Sequence, residues 1–164
     1  MGLPGDERLR KLAHEHSPKI ASYLKRRSYP LSEADLDDLL EEVLEVAWRR
    51  LDDVPDGFEL PWMIGVARNV LSNARRKDQR RRAMQSRLRP LEDTSSAEDH
   101  MIADAELNRA LTRLKPRERE VLLLHFWEGL DVEELGVALS ITRNNAKVRL
   151  SRATARLRVF LEEK

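Results

Sequence analysis

The sequence has no cysteine, only six glycines and no long apolar run in 164 residues. Without cysteine there are neither disulfide bonds nor thiolate metal ligands, which fits a reducing compartment. Few glycines and a charged fraction of 36% favour an all-helical protein over a sheet. No window approaches the roughly 20 apolar residues that span a bilayer, and the charged N-terminal stretch lacks the apolar core of a signal peptide. We therefore expect a cytoplasmic protein without membrane insertion.

Residue arrangements typical of catalysis are absent as well. The four histidines are scattered, and His14 and His16, two residues apart, cannot face each other on a helix. The sequence has no phosphate-binding loop, no serine, histidine and aspartate arrangement, and no dinucleotide-binding fingerprint. We therefore expect a protein that is not an enzyme and that uses neither a metal nor another cofactor.

The net charge of +1 conceals a strong segregation of charge along the chain. Residues 33–59 are rich in Asp and Glu, whereas residues 68–89 and 143–158 are rich in Arg and Lys. Two separate basic segments predict two places where a polyanion is bound. The acidic segment leaves a surface for a different partner.

Residues 131–158 have the pattern of two helices joined by a tight turn. Asp131 and Glu134 form a capping-box pattern at the start of the first helix, whose apolar side is Leu135, Ala138 and Leu139. This helix ends near Ser140, and Thr142 can cap the second helix. The apolar positions of the second helix are Ala146, Val148, Leu150, Ala153 and Leu157. Its other faces carry cations and no acid: Arg143, Lys147, Arg149, Arg152, Arg156 and Arg158.

A short helix, a short turn and a basic second helix is the layout that places the second helix in the major groove of DNA. The cations can neutralise phosphates, and the residues near the start of the helix can reach base edges: Arg143, Asn144, Asn145 and Lys147. Gly136 supports this interpretation, because a glycine inside a helix costs roughly 1 kcal/mol against alanine and suggests a close helix crossing. A merely solvated charged face is the alternative.

Two helices are predicted before residue 51. The first segment, residues 6–27, is expected to form a peripheral helix or a pair of helices, with Pro18 in a first turn or at a kink, and Tyr29-Pro30 ends it. The second starts near Ser32 or Glu33 and has an apolar stripe of Leu36, Leu39, Leu40, Val43, Leu44, Ala47 and Trp48. Its acidic flank is interpreted as solvated surface, as a protein-binding face or as ligands for a divalent cation.

A third helix is predicted over residues 58–84, with Pro61 in its first turn. Trp62 fits a core position. However, an aromatic ring together with arginines and asparagines on one basic helix is also the combination that binds unstacked single-stranded DNA. This helix therefore has two interpretations, structural and DNA-binding.

Residues 85–104 show little periodicity and predict a flexible linker. We expect one helical domain at residues 1–84 and a second at 105–164. In the second domain Pro116 starts a helix with Val121, Leu122, Leu124, His125 and Phe126 towards the core, and Gly129 ends it. The predicted fold class is all-α, with two small helical domains of which the C-terminal one is a helix-turn-helix.

Together these segments resemble bacterial RNA polymerase sigma factors of the sigma-70 family, specifically the small extracytoplasmic-function group that keeps the second and fourth conserved regions. The resemblance covers roughly residues 8–84 and 105–160. For the second region the matching segments are ASYLKRRS, DLDDLLEEVLEVAWRRL and LPWMIGVARNVLSNARRK. For the fourth region the segment is LTRLKPREREVLLLHFWEGLDVEELGVALSITRNNAKVRLSRATARLR.

The resemblance implies core RNA polymerase and promoter DNA as partners, and it is also compatible with an anti-sigma factor. The polymerase contacts are expected at its beta-prime coiled coil and beta flap, the former through Asp35, Asp38, Leu39, Glu41 and Glu42. The melted minus-ten strand is expected at Trp62, Arg68, Asn69, Asn73, Arg75 and Arg76. The minus-35 duplex is expected at Thr142, Arg143, Asn144, Asn145, Lys147, Arg149 and Arg152.

The chain departs from the family pattern at several positions. Glu41 stands where the family usually has glutamine, and Ser140 stands where it has glycine in the turn. Residues 145–148 are Asn-Ala-Lys-Val where Thr-Val-Lys-Ser is usual. Asn145 is able to favour adenine contacts that threonine would not make. The promoter sequence that is recognised is therefore expected to differ.

Two other functions are compatible with parts of the sequence. A stand-alone dimeric helix-turn-helix regulator would bind operators without polymerase, but it leaves the basic segment from Trp62 to Arg82 unexplained. An enzyme acting on nucleic acid would hold magnesium with the acids between Asp35 and Glu42. That enzyme would lose metal-dependent turnover on Asp38→Ala.

Overall fold

The computed structural model describes residues 4–27, 32–85 and 104–163. Within these ranges the secondary structure is α-helical apart from one 3-10 turn at Leu51–Asp53, so the predicted all-α class is confirmed. The helices are α1 (Pro4–Arg27), α2 (Glu33–Arg49), α3 (Glu59–Gln85), α4 (Ala105–Arg113), α5 (Pro116–Phe126), α6 (Val132–Leu139) and α7 (Arg143–Glu162).

The chain divides into two compact units, Met1–Asp99 and His100–Lys164. Most of the predicted linker, like the Tyr29-Pro30 stop, lies outside the described residues. The domain limits at 84 and 105 and the flexibility of the linker therefore stay predictions.

The first unit is built from α1, α2 and α3, which all pack against one another. Its most deeply buried side chains come from all three helices: Ile20, Tyr23, Leu24, Val43, Met63 and Ile64. Helix α1 is therefore central to this core, not peripheral as the sequence suggested. Pro18 lies within one continuous α1 and is exposed, so there is one helix here and not a pair.

The turn between α2 and α3 is fastened to α1 by one side chain. Arg8 donates hydrogen bonds to the carbonyl oxygens of Leu51 and Val54, both at 2.9 Å, and forms an ion pair with Asp56 at 3.2 Å. Because backbone carbonyls in a turn lack helix partners, a guanidinium that reaches two of them stabilises the turn. The start of α3 is thereby held against α1.

Helix α2 begins where the sequence predicted, but not every residue of its predicted apolar stripe is buried. Ser32 is its N-cap, and Leu39, Val43 and Ala47 are buried. Trp48 is 44% exposed, so its assignment to the buried stripe was wrong. One residue advances about 100° around a helix, and the step from Ala47 to Trp48 carries the indole out of the core.

The second unit is organised around α7, which packs against α4, α5 and α6. Small residues of α7, Ala146 and Ala153, are fully buried and allow these close contacts. The core also contains Leu111, Val121, Leu122, Leu124, Leu130 and Leu135. The buried Arg119 donates to the carbonyl oxygens of Leu111 (3.2 Å) and Leu114 (3.0 Å), where α4 ends.

The end of α5 differs from the prediction at one residue. Phe126 is 63% exposed and does not face the core. Its neighbour His125 donates from Nδ1 to the Leu130 carbonyl oxygen at 2.7 Å, because a carbonyl can only accept. Helix α5 ends at Phe126 with Trp127 as its C-cap, two residues before Gly129, which was predicted to end it. Gly129 instead lies in the turn that follows, with a φ of 74° that suits glycine. Phe126 and Trp127, which is 41% exposed, thus form an aromatic surface at the end of α5.

Helices α6 and α7 form the predicted helix-turn-helix. Asp131 and Glu134 make the capping box, and the Thr142 hydroxyl accepts from the Asn145 amide at 3.1 Å. Ser140 occupies the turn with a φ of 56°. A Cβ on Gly136 would lie 2.9 Å from the Ile141 carbonyl oxygen, so the close crossing inferred from this glycine is the turn itself.

Candidate nucleic-acid interface

The side of α7 that faces away from the core is exposed over its first half. Asn144, Asn145, Lys147, Ser151 and Arg152 are all exposed, opposite the buried Ala146 and Ala153. No acid occurs between residues 143 and 158. A helix of this kind, free on one side and cationic, has the shape and charge that fit a DNA major groove.

Val148 was predicted on the apolar side of α7, and this was wrong. It is 38% exposed. Apolar and charged residues alternate from Ala146 to Leu150, but a step of two residues turns roughly 200° around a helix, so Val148 lies on the opposite side from Ala146. Its side chain therefore lies among the polar residues and not in the core.

Two predicted duplex contacts are partly engaged within the protein. The hydroxyl of Thr142 is the N-cap of α7 and leaves its own O–H available as a donor. Arg143 lies 3.6 Å from the carboxylate of Glu133, with both side chains more than half exposed. Such an exposed pair is weak, on the order of 0–1 kcal/mol, so Arg143 can exchange this carboxylate for a phosphate.

The cations of α7 do not all lie on the exposed side. Arg149 is half-buried. Arg156 lies 3.3 Å from Glu118, whose side chain is only 16% exposed, and its guanidinium is also near the Phe160 ring. Lys147, Arg152 and Arg156 are all exposed, but Arg156, whose side chain is 51% exposed, also pairs with Glu118 of α5.

A second polar and cationic stripe runs along α3. Asn69, Asn73 and Arg76 are exposed and follow the half-buried Trp62 at seven, eleven and fourteen residues, which places all four on one side of the helix. The guanidinium of Arg50 lies 5.5 Å from the centre of the Trp62 ring. The stripe therefore begins at an aromatic ring and continues through two amides to a cation.

The other two arginines predicted on α3 lie on a neighbouring side. Arg68 and Arg75 are seven residues apart and half-buried. Arg75 donates to the carbonyl oxygen of Arg27, at the end of α1. The structure therefore gives Arg75 a role in joining α1 to α3.

Sequence reasoning missed two residues of the α3 stripe. Arg80 is exposed four residues after Arg76, and this spacing alone would have identified it. Arg50 reaches Trp62 from the end of α2. No sequence pattern joins these two residues, because the turn between α2 and α3 decides their distance.

The acidic side of α2 is exposed and continuous. Asp38, Glu42 and Glu45 follow one another at four and three residues and face away from the core, with Glu41 beside them. The predicted polymerase-binding set is corrected at Leu39, which is only 5% exposed and packs in the core of the first unit. The remaining acids form an exposed surface, and Trp48, three residues after Glu45 and 44% exposed, lies at its end.

Asp35 differs from the other acids because it belongs to the helix cap. Its carboxylate accepts from the Ser32 backbone N–H at 3.0 Å and from the Ser32 hydroxyl at 2.9 Å. The backbone hydrogen bond from Ser32, followed by the side-chain bond, lowers the pKa of Asp35. Asp35 therefore fixes the first turn of α2.

Within the described ranges, no group of three or more His, Cys, Asp or Glu residues is arranged to hold a metal ion. In the same part of the chain, none of the helices combines the length and apolar character needed to cross a bilayer.

The fold and these surfaces define a helix-turn-helix protein of the DNA-binding class. Two family models match the chain: sigma-70 region 2 over residues 12–81, and sigma-70 region 4 over residues 104–157. The chain is similar to the RNA polymerase sigma factor CarQ of Myxococcus xanthus, with 32% identity over 155 residues that cover 90% of this chain and 86% of CarQ. It is 34% identical to the RNA polymerase sigma-E factor of Streptomyces avermitilis over 135 residues, 79% of this chain and 73% of that protein.

Solved structures share this fold. The sigma factor RpoE of Bartonella quintana, solved with the anti-sigma factor NepR, has a TM-score of 0.59 at 20% identity and covers 97% of both chains. CnrH, solved with the cytosolic domain of CnrY, has a TM-score of 0.59 at 21% identity over 96% of this chain and 89% of that one. The chain belongs to the sigma-70 family of RNA polymerase sigma factors, in its extracytoplasmic-function group.

Proposed function

We propose that this sigma factor recognises promoters with two separate surfaces, α7 for the minus-35 duplex and α3 for the melted minus-ten strand. The observation that carries the proposal is the exposed face of α7, which presents amides and cations and has no acid between residues 143 and 158. A helix-turn-helix with such a face binds the major groove. The α3 stripe is suited to a single strand.

On α7 the residues divide into two roles. Arg143, Lys147 and Arg152 contact phosphates, which fixes the position of the helix on the duplex. Asn144 and Asn145, near the start of α7, contact base edges, and an asparagine amide pairs well with adenine. Thr142 donates its hydroxyl hydrogen to a phosphate while it caps the helix. Arg149, being half-buried, contributes positive potential more than a direct contact.

On α3 the aromatic ring and the amides bind bases that have left the duplex. Trp62 offers a stacking surface, and Asn69 and Asn73 offer donors and acceptors to the exposed base edges. Arg76 neutralises the backbone of the captured strand. Arg68 and Arg75 contribute from the adjacent side of the helix, where Arg75 also holds the end of α1.

The acidic side of α2 is the proposed surface for the polymerase beta-prime coiled coil, through Asp38, Glu41 and Glu42. Asp35 contributes charge but acts mainly as a cap.

In the second unit, the exposed Phe126 and Trp127 are the proposed contact for the beta flap, because a paired aromatic surface on a small unit is typical of a protein interface. The chain supplies specificity in the cytoplasm, and the polymerase supplies the chemistry.

An inhibitory partner also belongs to the proposal. RpoE was solved with the anti-sigma factor NepR, and CnrH was solved with the cytosolic domain of CnrY. The exposed cationic and aromatic surfaces of this chain are of the kind that another protein covers until they are needed. An anti-sigma factor would compete with DNA or polymerase for one of them.

The test is transcription in vitro by core RNA polymerase on a pool of genomic fragments, with the intact chain and two variants. Asn69→Ala should impair promoter opening more than closed-complex binding, because its amide contacts only the melted strand. Arg152→Ala should weaken duplex binding before opening. Glu162→Gln, an exposed change at the far end of α7, is the control. If Asn69→Ala leaves promoter opening unchanged and Arg152→Ala leaves duplex binding unchanged, the site assignments are wrong.

The stand-alone dimeric regulator is not favoured, because the matched relatives are sigma factors and the match extends over both units. It would also leave the α3 stripe without a ligand. A regulator of that kind would bind an operator as a dimer in the absence of core polymerase. Gel filtration and duplex binding without polymerase distinguish the two.

A further inference from the structure

Val148 is an exposed aliphatic residue on the DNA-facing side of α7. It is 38% exposed, whereas Ala146 and Ala153 are fully buried. With about 100° of rotation per residue, Val148 lies roughly 200° from Ala146 and roughly 140° from Ala153. Its side chain therefore points almost directly away from the core of the second unit.

The exposed neighbours of Val148 are polar or cationic. Asn144 lies four residues before it and Asn145 three before, while Ser151 and Arg152 lie three and four after. Residues at these spacings are adjacent on a helix surface. Val148 is thus enclosed by the amides and cations that the proposed function assigns to base edges and phosphates.

The exposed Val148 does not stabilise α7. Valine is a weaker helix former than alanine, and here its methyl groups gain no core contact. Its side chain is nevertheless nearly fixed, since valine in a helix adopts mainly one rotamer. A rigid apolar group loses little side-chain entropy on making a contact, which suits a residue that recognises one group on a ligand.

We propose that Val148 is a specificity-determining residue that contacts the C5-methyl group of a thymine in the major groove. This inference rests on the proposed binding of a duplex by α7. Among the groups that base pairs present in the major groove, the thymine methyl is the apolar one. An asparagine beside Val148 can pair with adenine, so the two together select A·T pairs.

The charge around Val148 argues for DNA over a protein partner. Lys147 and Arg152 flank it, and the helix has no acid from residue 143 to residue 158. One valine among polar side chains is also far smaller than the apolar patches that bind proteins. Duplex DNA matches both the charge and the size of this surface.

The test removes one methyl group at a time from the DNA. The full chain is assembled with core RNA polymerase, and a preferred duplex is selected from a randomised pool. Each thymine of that duplex is then replaced by deoxyuridine, which lacks the C5-methyl. Affinities are measured by competition for the intact chain, for Val148→Ala and for Val159→Ala. Val159 is 51% exposed on the same side of α7, but about 16 Å further along the helix.

For the intact chain and for Val159→Ala, deoxyuridine at one or two positions should weaken binding about fourfold, the effect expected for one methyl-sized group. Val148→Ala should bind the thymine duplex about fourfold more weakly and should be indifferent to the same replacement. The proposal is overturned if the intact chain is indifferent to every replacement, if the selected duplex has no thymine, or if Val148→Ala stays sensitive. If the pool yields no preferred duplex, the proposed function is contradicted instead. That outcome is seen at the selection step, before any thymine is replaced.

Discussion

Ser140 occupies a backbone conformation that suits glycine better than serine. Its φ of 56° and ψ of 43° lie in the left-handed region at the C-cap of α6. A side chain in that region costs roughly 1–2 kcal/mol, which glycine avoids, although glycine loses more backbone entropy on folding. The turn of the helix-turn-helix therefore contains a local strain that a single substitution can relieve.

Ser140→Gly should stabilise the second unit by about 1 kcal/mol. The measurement is hydrogen exchange of the amides in α6 and α7 in the full chain, where protection should rise about fivefold. Ser140→Ala, which keeps a Cβ, is the control and should not raise protection. A fall in protection for the glycine variant would show that the serine side chain stabilises the turn.

Arg119 is a buried cation of the second unit, and it supports the end of α4. Arg119→Met keeps much of the apolar volume but leaves the Leu111 and Leu114 carbonyl oxygens without this donor. We expect a loss of about 2–3 kcal/mol in the free energy of unfolding. The measurement is urea unfolding followed by Trp127 fluorescence, with Trp48 and Trp62 replaced by phenylalanine in all variants. Arg117→Met, at an exposed position, is the control. Equal urea midpoints for Arg119→Met and Arg117→Met would contradict the role of Arg119 at the end of α4.

Helix α2 combines a structural acid at its start with exposed acids along its side, which are proposed to bind the polymerase. The Ser32 backbone hydrogen bond lowers the pKa of Asp35. A carboxyl group with a lowered pKa in the folded state stabilises the fold above its unfolded pKa, which is about 3.9 for Asp. This contribution is lost as the pH falls through the lower folded value.

We therefore expect the start of α2 to lose stability as the pH falls below about 4. Asp35→Asn should show a shallower loss over this range, because an amide does not titrate. Urea midpoints from Trp48 fluorescence across pH 5 to about 2 provide the measurement. Glu45→Gln, an exposed change almost three turns further along α2, is the control. If Asp35→Asn shows the same pH profile as the intact chain, the cap does not depend on the carboxylate charge.

For the whole molecule, the small net charge is a poor guide to the expected affinity for DNA. The net charge is +1, but α7 has five exposed cations and no acid between residues 143 and 158, and residues 76–82 of α3 have five exposed cations and one acid. Binding that releases counterions depends on these local charges and not on the net charge. Salt dependence is therefore the property that distinguishes phosphate contacts from base contacts.

Arg152→Gln in the full chain with core polymerase should reduce the slope of log affinity against log salt by about 0.9, the value for one phosphate contact. Asn145→Ala should leave the slope unchanged and relax the preference for the selected duplex over a scrambled one. Both are measured by competition binding over about 50–200 mM salt. An unchanged slope for Arg152→Gln would remove this residue from the phosphate contacts.

Much of the fold was predictable because the responsible interactions are local. The capping boxes at Asp131 and Ser32, the Thr142 cap and the first-turn position of Pro116 all act within four residues. The order of helices and the helix-turn-helix follow from such caps and from the 3.6-residue periodicity. The candidate site was predictable to the same extent, since the α7 face and the α3 stripe depend on helical spacing.

Tertiary packing decided which apolar side chains are buried and which cations are engaged. Trp48, Phe126 and Val148 continue apolar patterns but are exposed, because no neighbouring helix covers their side of the helix in either unit. Leu39, which has acidic neighbours in the sequence, is buried because the other helices of the first unit cover its side of α2. Contacts such as Arg50 with Trp62, or Arg75 with Arg27, join residues that are distant in sequence. Local rules fix where a helix begins and how its faces repeat, but only the neighbouring helices determine which face is covered.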